Sequence, residues 1–428
     1  MKKIALCLLS AALALVSLAE IKIENSAKDN IARIGDKVVF KISGAPDGAR
    51  FEFKVNGKQI EKGICPEEFS YTPDKESWLI FSAFDPNDKD KNGHVKRKEN
   101  GVIVSPDKVK TVTQAPKDLD KFWKKIKMEV EKNSPRNVKL EKLRDFPAEN
   151  GKYPVELYRY EIKVDDGENG SCDGGIADGY LALPVGKKGK MPIVATFFGA
   201  GSFSADLRPA VEYAKEGAIG VSMNPHSIPP SLKGEERQKF IDEVVHQKGV
   251  NYKMRNKDKT PEEMYFVGMF KRVYQTLRMA MARPEWDGKN IATTGFSQGG
   301  SQTIVAAYLC PKVTVIAPLC PAMCDNGAGS IGRRSGWPDW VNNANQTREL
   351  ENGRYFDPAL MAQFIRAKMY VGIGLCDNTC TPTAVTAMFN NFKGKKDRLY
   401  MQGVGHGWND DWSKNHKDFI LKNIGLKK

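Results

Sequence analysis

Gly295-Phe296-Ser297-Gln298-Gly299 is the stretch of this chain whose residue types and spacing speak most directly of chemistry. It follows an apolar run, Ile291–Thr294, and precedes a helix-forming segment from Gly300 to Leu309. A serine on a tight turn between a strand and a helix is a nucleophile elbow, and its glycines let neighbouring backbones close up around it. A serine hydroxyl attacks poorly until a base takes its proton. The chain holds five histidines, His94, His226, His246, His406 and His416. In sites of this type the order along the chain is serine, then a carboxylate, then histidine, which leaves His406 and His416. His416 lies in a predicted terminal surface helix. His406 lies in Gly403-Val404-Gly405-His406-Gly407-Trp408, a Gly-rich loop directly after a strand, and is the predicted base. Asp377 follows the apolar run Met369–Leu375 and is the predicted acid that orients the imidazole. Asp325, Asp339 and Asp357 are the alternatives, none so directly at a strand end. Attack on a carbonyl creates an oxyanion that needs aimed backbone N–H groups. Gln298 is one predicted donor; Ala200, in Phe198-Gly199-Ala200-Gly201, is the other.

The elements that carry these residues alternate. Pro192–Phe198, Ala218–Met223, Ile291–Thr294, Val313–Leu319, Met369–Gly374 and Arg398–Gly403 read as strands. Between them, Phe266, Met269, Phe270, Val273, Leu277 and Met281 recur at helical spacing. Such alternation predicts a mostly parallel sheet covered by helices, with its chemistry at the carboxyl ends of the strands. Leu119, Phe122, Trp123, Ile126 and Val130 predict an amphipathic helix that opens this region. Residues 20–112 read differently. Val38–Ile42, Phe51–Val55 and Trp78–Phe81 are short strand runs, and Asn56-Gly57 is a hairpin turn signal. An immunoglobulin-like β-sandwich over 20–112 fits that spacing, followed by a basic, Pro-containing linker and an α/β unit over 117–428. Residues 88–99, from Asp88, Asp90, Asn92 and Gly93 to Glu99, match a calcium-loop spacing. Strand-like flanks and five nearby basic side chains favour a charged hairpin tip instead.

The first nineteen residues are basic at Lys2 and Lys3, apolar from Ile4 to Leu18, and end in Ser17-Leu18-Ala19. That is the pattern of a cleavable export signal, and it predicts a secreted or periplasmic protein. The chain has 428 residues and a net charge of +14, is 41% hydrophobic, and contains no series of long apolar runs, which excludes a polytopic membrane protein. Its basic residues are scattered without interleaved aromatics, so nucleic acid is not a predicted partner. Cys65, Cys172, Cys310, Cys320, Cys324, Cys376 and Cys380 remain after the signal; the two Cys-x-x-x-Cys pairs alone do not amount to a zinc site, and no metal or organic cofactor is expected.

Residues from about 117 to 425 resemble the acetyl xylan esterase and cephalosporin C deacetylase family, carbohydrate esterase family 7, a branch of the α/β-hydrolases. The resemblance rests on Asp118-Leu119-Asp120-Lys121-Phe122-Trp123 and on Arg283-Pro284-Glu285-Trp286-Asp287 leading into the serine motif. It rests also on Pro321-Ala322-Met323-Cys324-Asp325 and on Gly374-Leu375-Cys376-Asp377-Asn378-Thr379-Cys380-Thr381-Pro382. It implies an α/β-hydrolase fold, a triad of Ser297, Asp377 and His406, and an acetylated polysaccharide or oligosaccharide as substrate. The family's Arg-Gly-Gln, its Glu after the catalytic histidine and its His-Gly-Tyr are replaced by Asn224-Pro225-His226, Gly407 and Phe198-Gly199-Ala200. Family members often form ring-shaped hexamers, which leaves a homo-oligomer open here. Arg333, Trp337 and Trp340, in the insertion after the sixth core strand, and His226, at a strand end, are candidate sugar contacts. A disulfide between the Cys320/Cys324 and Cys376/Cys380 pairs would brace the acid loop. A secreted serine peptidase, an esterase acting on a different ester, and a non-catalytic glycan-binding protein are the rival readings.

Overall fold

The computed structural model describes residues 20–149, 151–171, 173–201, 203–229 and 231–427. The export-signal reading, on residues 1–19, and Cys172 lie outside the described residues.

The N-terminal part consists of strands β1 (Lys22–Asn25), β2 (Ile31–Ala32), β3 (Val38–Ser43), β4 (Arg50–Val55), β5 (Lys58–Ile64), β6 (Glu68–Tyr71), β7 (Ser77–Phe84) and β8 (Lys98–Val104). They form a sheet β1-β3-β6 and a sheet β2-β8-β7-β4-β5. Phe40 from one sheet and Phe51, Phe53, Leu79 and Phe81 from the other meet in a shared core. Phe40 and Phe81 stack at 5.5 Å between ring centroids, as two facing sheets require. The Asn56-Gly57 turn joins β4 to β5 with both residues at positive φ, 51° and 82°, the conformation a two-residue hairpin turn demands.

The calcium-loop spacing falls on the next hairpin. Lys89 bridges Val95, Asp88 pairs with Lys96 at 2.6 Å, and Asp90 Oδ1 accepts the amides of Asn92 and His94. Glu99 lies in β8 and accepts from the Ser82 hydroxyl at 2.8 Å. These carboxylates serve the hairpin, in keeping with the charged-tip reading.

The second part is built on one sheet of β9 (Val138–Phe146), β10 (Val155–Lys163), β11 (Ile176–Pro184), β12 (Met191–Phe197), β13 (Ile219–Met223), β14 (Trp286–Phe296), β15 (Val315–Leu319), β16 (Lys368–Gly374) and β17 (Lys396–Met401). Its order is β17-β16-β15-β14-β12-β13-β11-β10-β9. Strands β12 to β17 pair in parallel, as the alternation predicts, and β9 to β11 extend the sheet antiparallel. The sequence reading did not identify those three strands. β9 carries mostly exposed polar side chains, so it shows little apolar alternation.

The helix Leu119–Glu131 buries Leu119, Phe122, Trp123, Ile126 and Val130, the stripe its spacing predicts. Helix Gln298–Leu309 is buried nearly all round and packs on β14 and β15. The linker is pinned down. The Asn390 amide donates to the carbonyls of Pro106 and Val109, and the Val112 amide donates to Asp325. Among the described residues, no helix is long and apolar enough to cross a membrane.

Candidate functional site

Parallel register brings the carboxyl ends of β12, β14 and β15 level, with Phe197 opposite Gly295 and Phe296 opposite Leu319. Ser297 leaves β14 at φ 58° and ψ −120°, left-handed backbone that an ordinary residue adopts only under constraint. The constraint is visible. The Ser297 amide donates to Leu319 O at 2.9 Å, and the Ala322 amide donates to Ser297 O at 3.0 Å. Gly299 must stay a glycine, because a Cβ there would lie 2.3 Å from Phe197 O.

His406 Nε2 lies 2.9 Å from Ser297 Oγ, and His406 Nδ1 lies 2.8 Å from Asp377 Oδ2. Asp377 is fully buried and the His406 side chain is 24% exposed, so this line of groups opens to solvent at the imidazole. The other carboxylate oxygen, Asp377 Oδ1, accepts from the amides of Thr379 at 2.7 Å and Cys380 at 2.9 Å. The carboxylate cannot rotate away from the imidazole without losing both. The Phe296 ring packs 4.6 Å from the imidazole on one side. Together these contacts hold a base against a hydroxyl and a carboxylate against the base, which can move a proton off Ser297 Oγ.

The structure places the alternative acids elsewhere. Asp325 pairs with Arg333, Asp339 accepts from Ser335, and Asp357 accepts the amides of Asp325, Asn326 and Ala359. His416 sits on helix Asp410–Asn423, where its Nδ1 lies 2.8 Å from Trp412 O.

Gln298 opens its helix directly after Ser297, so its amide belongs to the first turn, where N–H groups have no intrahelical acceptor. Its side chain is buried, and Oε1 accepts from Tyr252 Oη at 2.6 Å. Ala200 is exposed in the loop after β12. One residue earlier, the place a Gly199 Cβ would occupy lies 3.6 Å from Ser297 Cβ, so this loop runs past the serine.

Three of the four candidate sugar contacts need correction. Arg333 is buried and paired with Asp325, and also donates to Lys110 O. Trp340 is fully buried against Phe266 and Phe356. His226 is fully buried, with Nδ1 2.8 Å from Tyr265 Oη. A basic or aromatic residue type in a loop cannot reveal such nonlocal partners. Trp337 is half-buried, 6.3 Å from Tyr252 between ring centroids.

The sequence reading missed Tyr252, which no spacing singles out, and Trp408. The latter is 57% exposed and packs edge-on against Phe296. A cavity of about 360 Å³ beside it is lined by Phe296, Trp408, Trp412, Tyr213 and Glu212. The expected disulfide is absent among the described residues: Cys65, Cys310, Cys320, Cys324, Cys376 and Cys380 are free thiols. Burial, with the Asp377 carboxylate nearby, pushes the Cys320 and Cys380 thiols well above their ordinary value. Asp377, Cys380 and His406 bring donor atoms within 4.8 Å of one another. The Asp and His atoms already serve each other, Ser297 and two amides, which suits a proton relay better than a metal.

Residues 107–423 match the family model for acetyl xylan esterase. The chain belongs to that family. A relative, the acetyl esterase Axe7A of Xylanibacter ruminicola, is 27% identical over 310 residues, spanning 72% of this chain and 66% of that protein's length. Acetyl xylan esterase 1 from a Thermoanaerobacterium species has a similar structure, with a TM-score of 0.59 and 20% identity, covering 74% of this chain and 97% of its own. The acetyl xylan esterase of a Paenibacillus species superposes with a TM-score of 0.60 at 19% identity, over 74% of this chain and 98% of its own. These likenesses show the α/β-hydrolase fold. The family match covers β9 to β17 and leaves β1 to β8 outside it.

Proposed function

We propose that this protein is an exported serine esterase that removes acetyl or other small acyl groups from carbohydrate, with acetylated xylan or its oligosaccharides as substrate. The single observation that carries the proposal is the unbroken line Asp377–His406–Ser297, at 2.8 and 2.9 Å, in a chain of the acetyl xylan esterase family. The chain reads as a β-sandwich unit over 20–112 and a catalytic unit over 117–428.

In this mechanism Ser297 Oγ attacks the ester carbonyl carbon while its proton passes to His406 Nε2. Asp377, held by two amides, keeps the Nδ1 proton facing it and stabilises the imidazolium. The amides of Gln298 and Ala200 receive the oxyanion. The tetrahedral intermediate collapses as His406 returns its proton to the departing sugar hydroxyl, leaving an acyl-serine. Water then repeats the sequence, with His406 as base, and frees the acid and Ser297. Every proton taken up is returned, so the residues named suffice for the reaction.

Acetate release from acetylated xylan and from a small aryl acetate, for the wild type and Ser297→Ala, tests the proposal. Release from both, abolished in the variant, supports it. Release from the aryl acetate alone overturns the xylan assignment and keeps the esterase; release from neither overturns both.

A further inference from the structure

Strand β7 reads Ser-Trp-Leu-Ile-Phe-Ser-Ala-Phe and is buried along nearly its whole length. Solvated sandwich strands bury alternate residues only. Here Leu79, Phe81 and Ala83 face the sandwich core, whereas Trp78 and Ile80, with Ile103 of β8, face away from it. That second face is covered by Leu375 and Cys376, the two residues immediately before Asp377. Trp78 is 1% exposed and donates its indole Nε1–H to Leu375 O at 2.7 Å. Gly101 of β8 presses its backbone on the same carbonyl, and a Cβ there would lie 2.3 Å from Leu375 O.

The loop that carries His406 is held by the same strand. Gln402 Oε1 accepts from Gly101 N, and Gln402 Nε2 donates to Gly101 O, both at 2.8 Å. Gln402 also donates to Asn30 Oδ1 and accepts from Gly403 N. The two loops are joined to each other beneath, since Leu375 N donates to Met401 O and Cys376 N to Val404 O.

We infer that the N-terminal β unit is a positioning part of the active site, its β7–β8 face setting the loops that present Asp377 and His406. Trp78 and Gln402 are the positioning residues. The inference rests on the serine-esterase reading and adds to it. The β7–β8 face is occupied by this contact, so its work is on the catalytic geometry. A displacement of these loops by about 1 Å would cost activity on the order of 10²-fold.

The experiment uses the full chain with Trp78→Phe, which keeps an aromatic ring but removes the N–H donor and the pyrrole part of the buried indole, and Gln402→Leu. Phe40→Leu is the control, because Phe40 lies in the sandwich core and packs on Phe53 and Phe81. Steady-state hydrolysis of an aryl acetate is measured below every thermal transition, with the rate of Ser297 labelling by a fluorophosphonate. The expected result is a fall in kcat of roughly 10- to 100-fold for Trp78→Phe and Gln402→Leu, with KM within about twofold. Labelling slows in parallel, whereas Phe40→Leu lowers the thermal midpoint and keeps wild-type kcat. Wild-type kcat and labelling in both site variants, or an equal loss of kcat in Phe40→Leu, would overturn the inference. If Trp78→Phe does not fold, Gln402→Leu decides alone. A wild type that neither cleaves the ester nor labels at Ser297 overturns the esterase reading itself, and is distinguishable from a failure of positioning.

Discussion

Replacing Asp377 by Asn removes one charge and changes almost no volume, yet the local hydrogen bonds dictate a large effect. Asp377 Oδ1 accepts two amides, from Thr379 and Cys380, and both need an acceptor in the variant. The Asn carbonyl oxygen must therefore take that place, because leaving the buried Cys380 donor unpaired costs about 1–3 kcal/mol, and the half-buried Thr379 amide would lose its partner as well. The NH₂ group is then turned toward His406 Nδ1, 2.8 Å away in the native geometry. Facing a donor, Nδ1 must be the unprotonated nitrogen, and the single imidazole proton moves to Nε2. Nε2 lies 2.9 Å from Ser297 Oγ and would meet the hydroxyl as a donor, unable to accept its proton. The wrong tautomer is locked in by two backbone amides. A loss of about 10⁴ in kcat, on the order of 5.5 kcal/mol of transition-state stabilisation, is expected from this arrangement. The assay is kcat and KM on an aryl acetate across pH 5 to 9, with circular dichroism to verify the fold. A variant that folds and keeps kcat within tenfold of the wild type would refute the tautomer reasoning.

Gly299→Ala would place a Cβ 2.3 Å from Phe197 O and push the end of β12, and with it the 198–201 loop, away from Ser297; if that loop supplies the proposed oxyanion donor, at least a tenfold loss of kcat/KM is expected, on the order of 1.4 kcal/mol, and wild-type kinetics would refute that role. Asp178 is 7% exposed, and burial, opposed by the Asn224 hydrogen bond and the Arg272 charge, raises its carboxyl to about 7. The folded chain therefore binds this proton more tightly than the unfolded chain, so Asp178 lowers stability as pH rises from about 4 to about 7, by up to ~1.4 kcal/mol per pH unit. Asp178→Asn, which mimics the protonated form, is expected to gain on the wild type in urea midpoint from pH 5 to 7 and then level off; a difference independent of pH would contradict the burial argument. Asn409 caps helix Asp410–Asn423 by accepting from Trp412 N at 3.0 Å, so Asn409→Ala should cost about 1 kcal/mol, read as a lower thermal midpoint. An unchanged midpoint would show that the cap contributes nothing to the cooperative unit.

The elements legible in the sequence are those whose physics is local. The serine turn was readable because a strand, two close-packed glycines and a helix occur within a few residues. The helix Leu119–Glu131 was readable because its five buried side chains repeat at helical spacing. His406 and Asp377 followed from chain order and strand ends, and parallel register then laid those ends side by side. The antiparallel strands β9 to β11 were missed, and Arg333, Trp340 and His226 were misassigned to a surface they do not reach. For β9 the exposed polar face hides the strand pattern, whereas for His226 and Trp340 the deciding partners are distant in sequence: Tyr265 lies 39 residues from His226, and the Trp340 indole donates to Lys253 O, 87 residues away.

Residue type and near-neighbour spacing are enough to say which residues can attack, relay a proton and turn the chain, because those properties are local. Tertiary structure decided which polar and aromatic side chains reach a substrate and which are consumed as core. It also decided what the second apolar face of β7 is for. The run Trp78–Phe81 shows only that both faces of the strand are buried; that one of them rests on Leu375, 297 residues onward, follows from how the two units pack. Burial and hydrogen-bond pairing depend on the whole chain, and no local pattern encodes them.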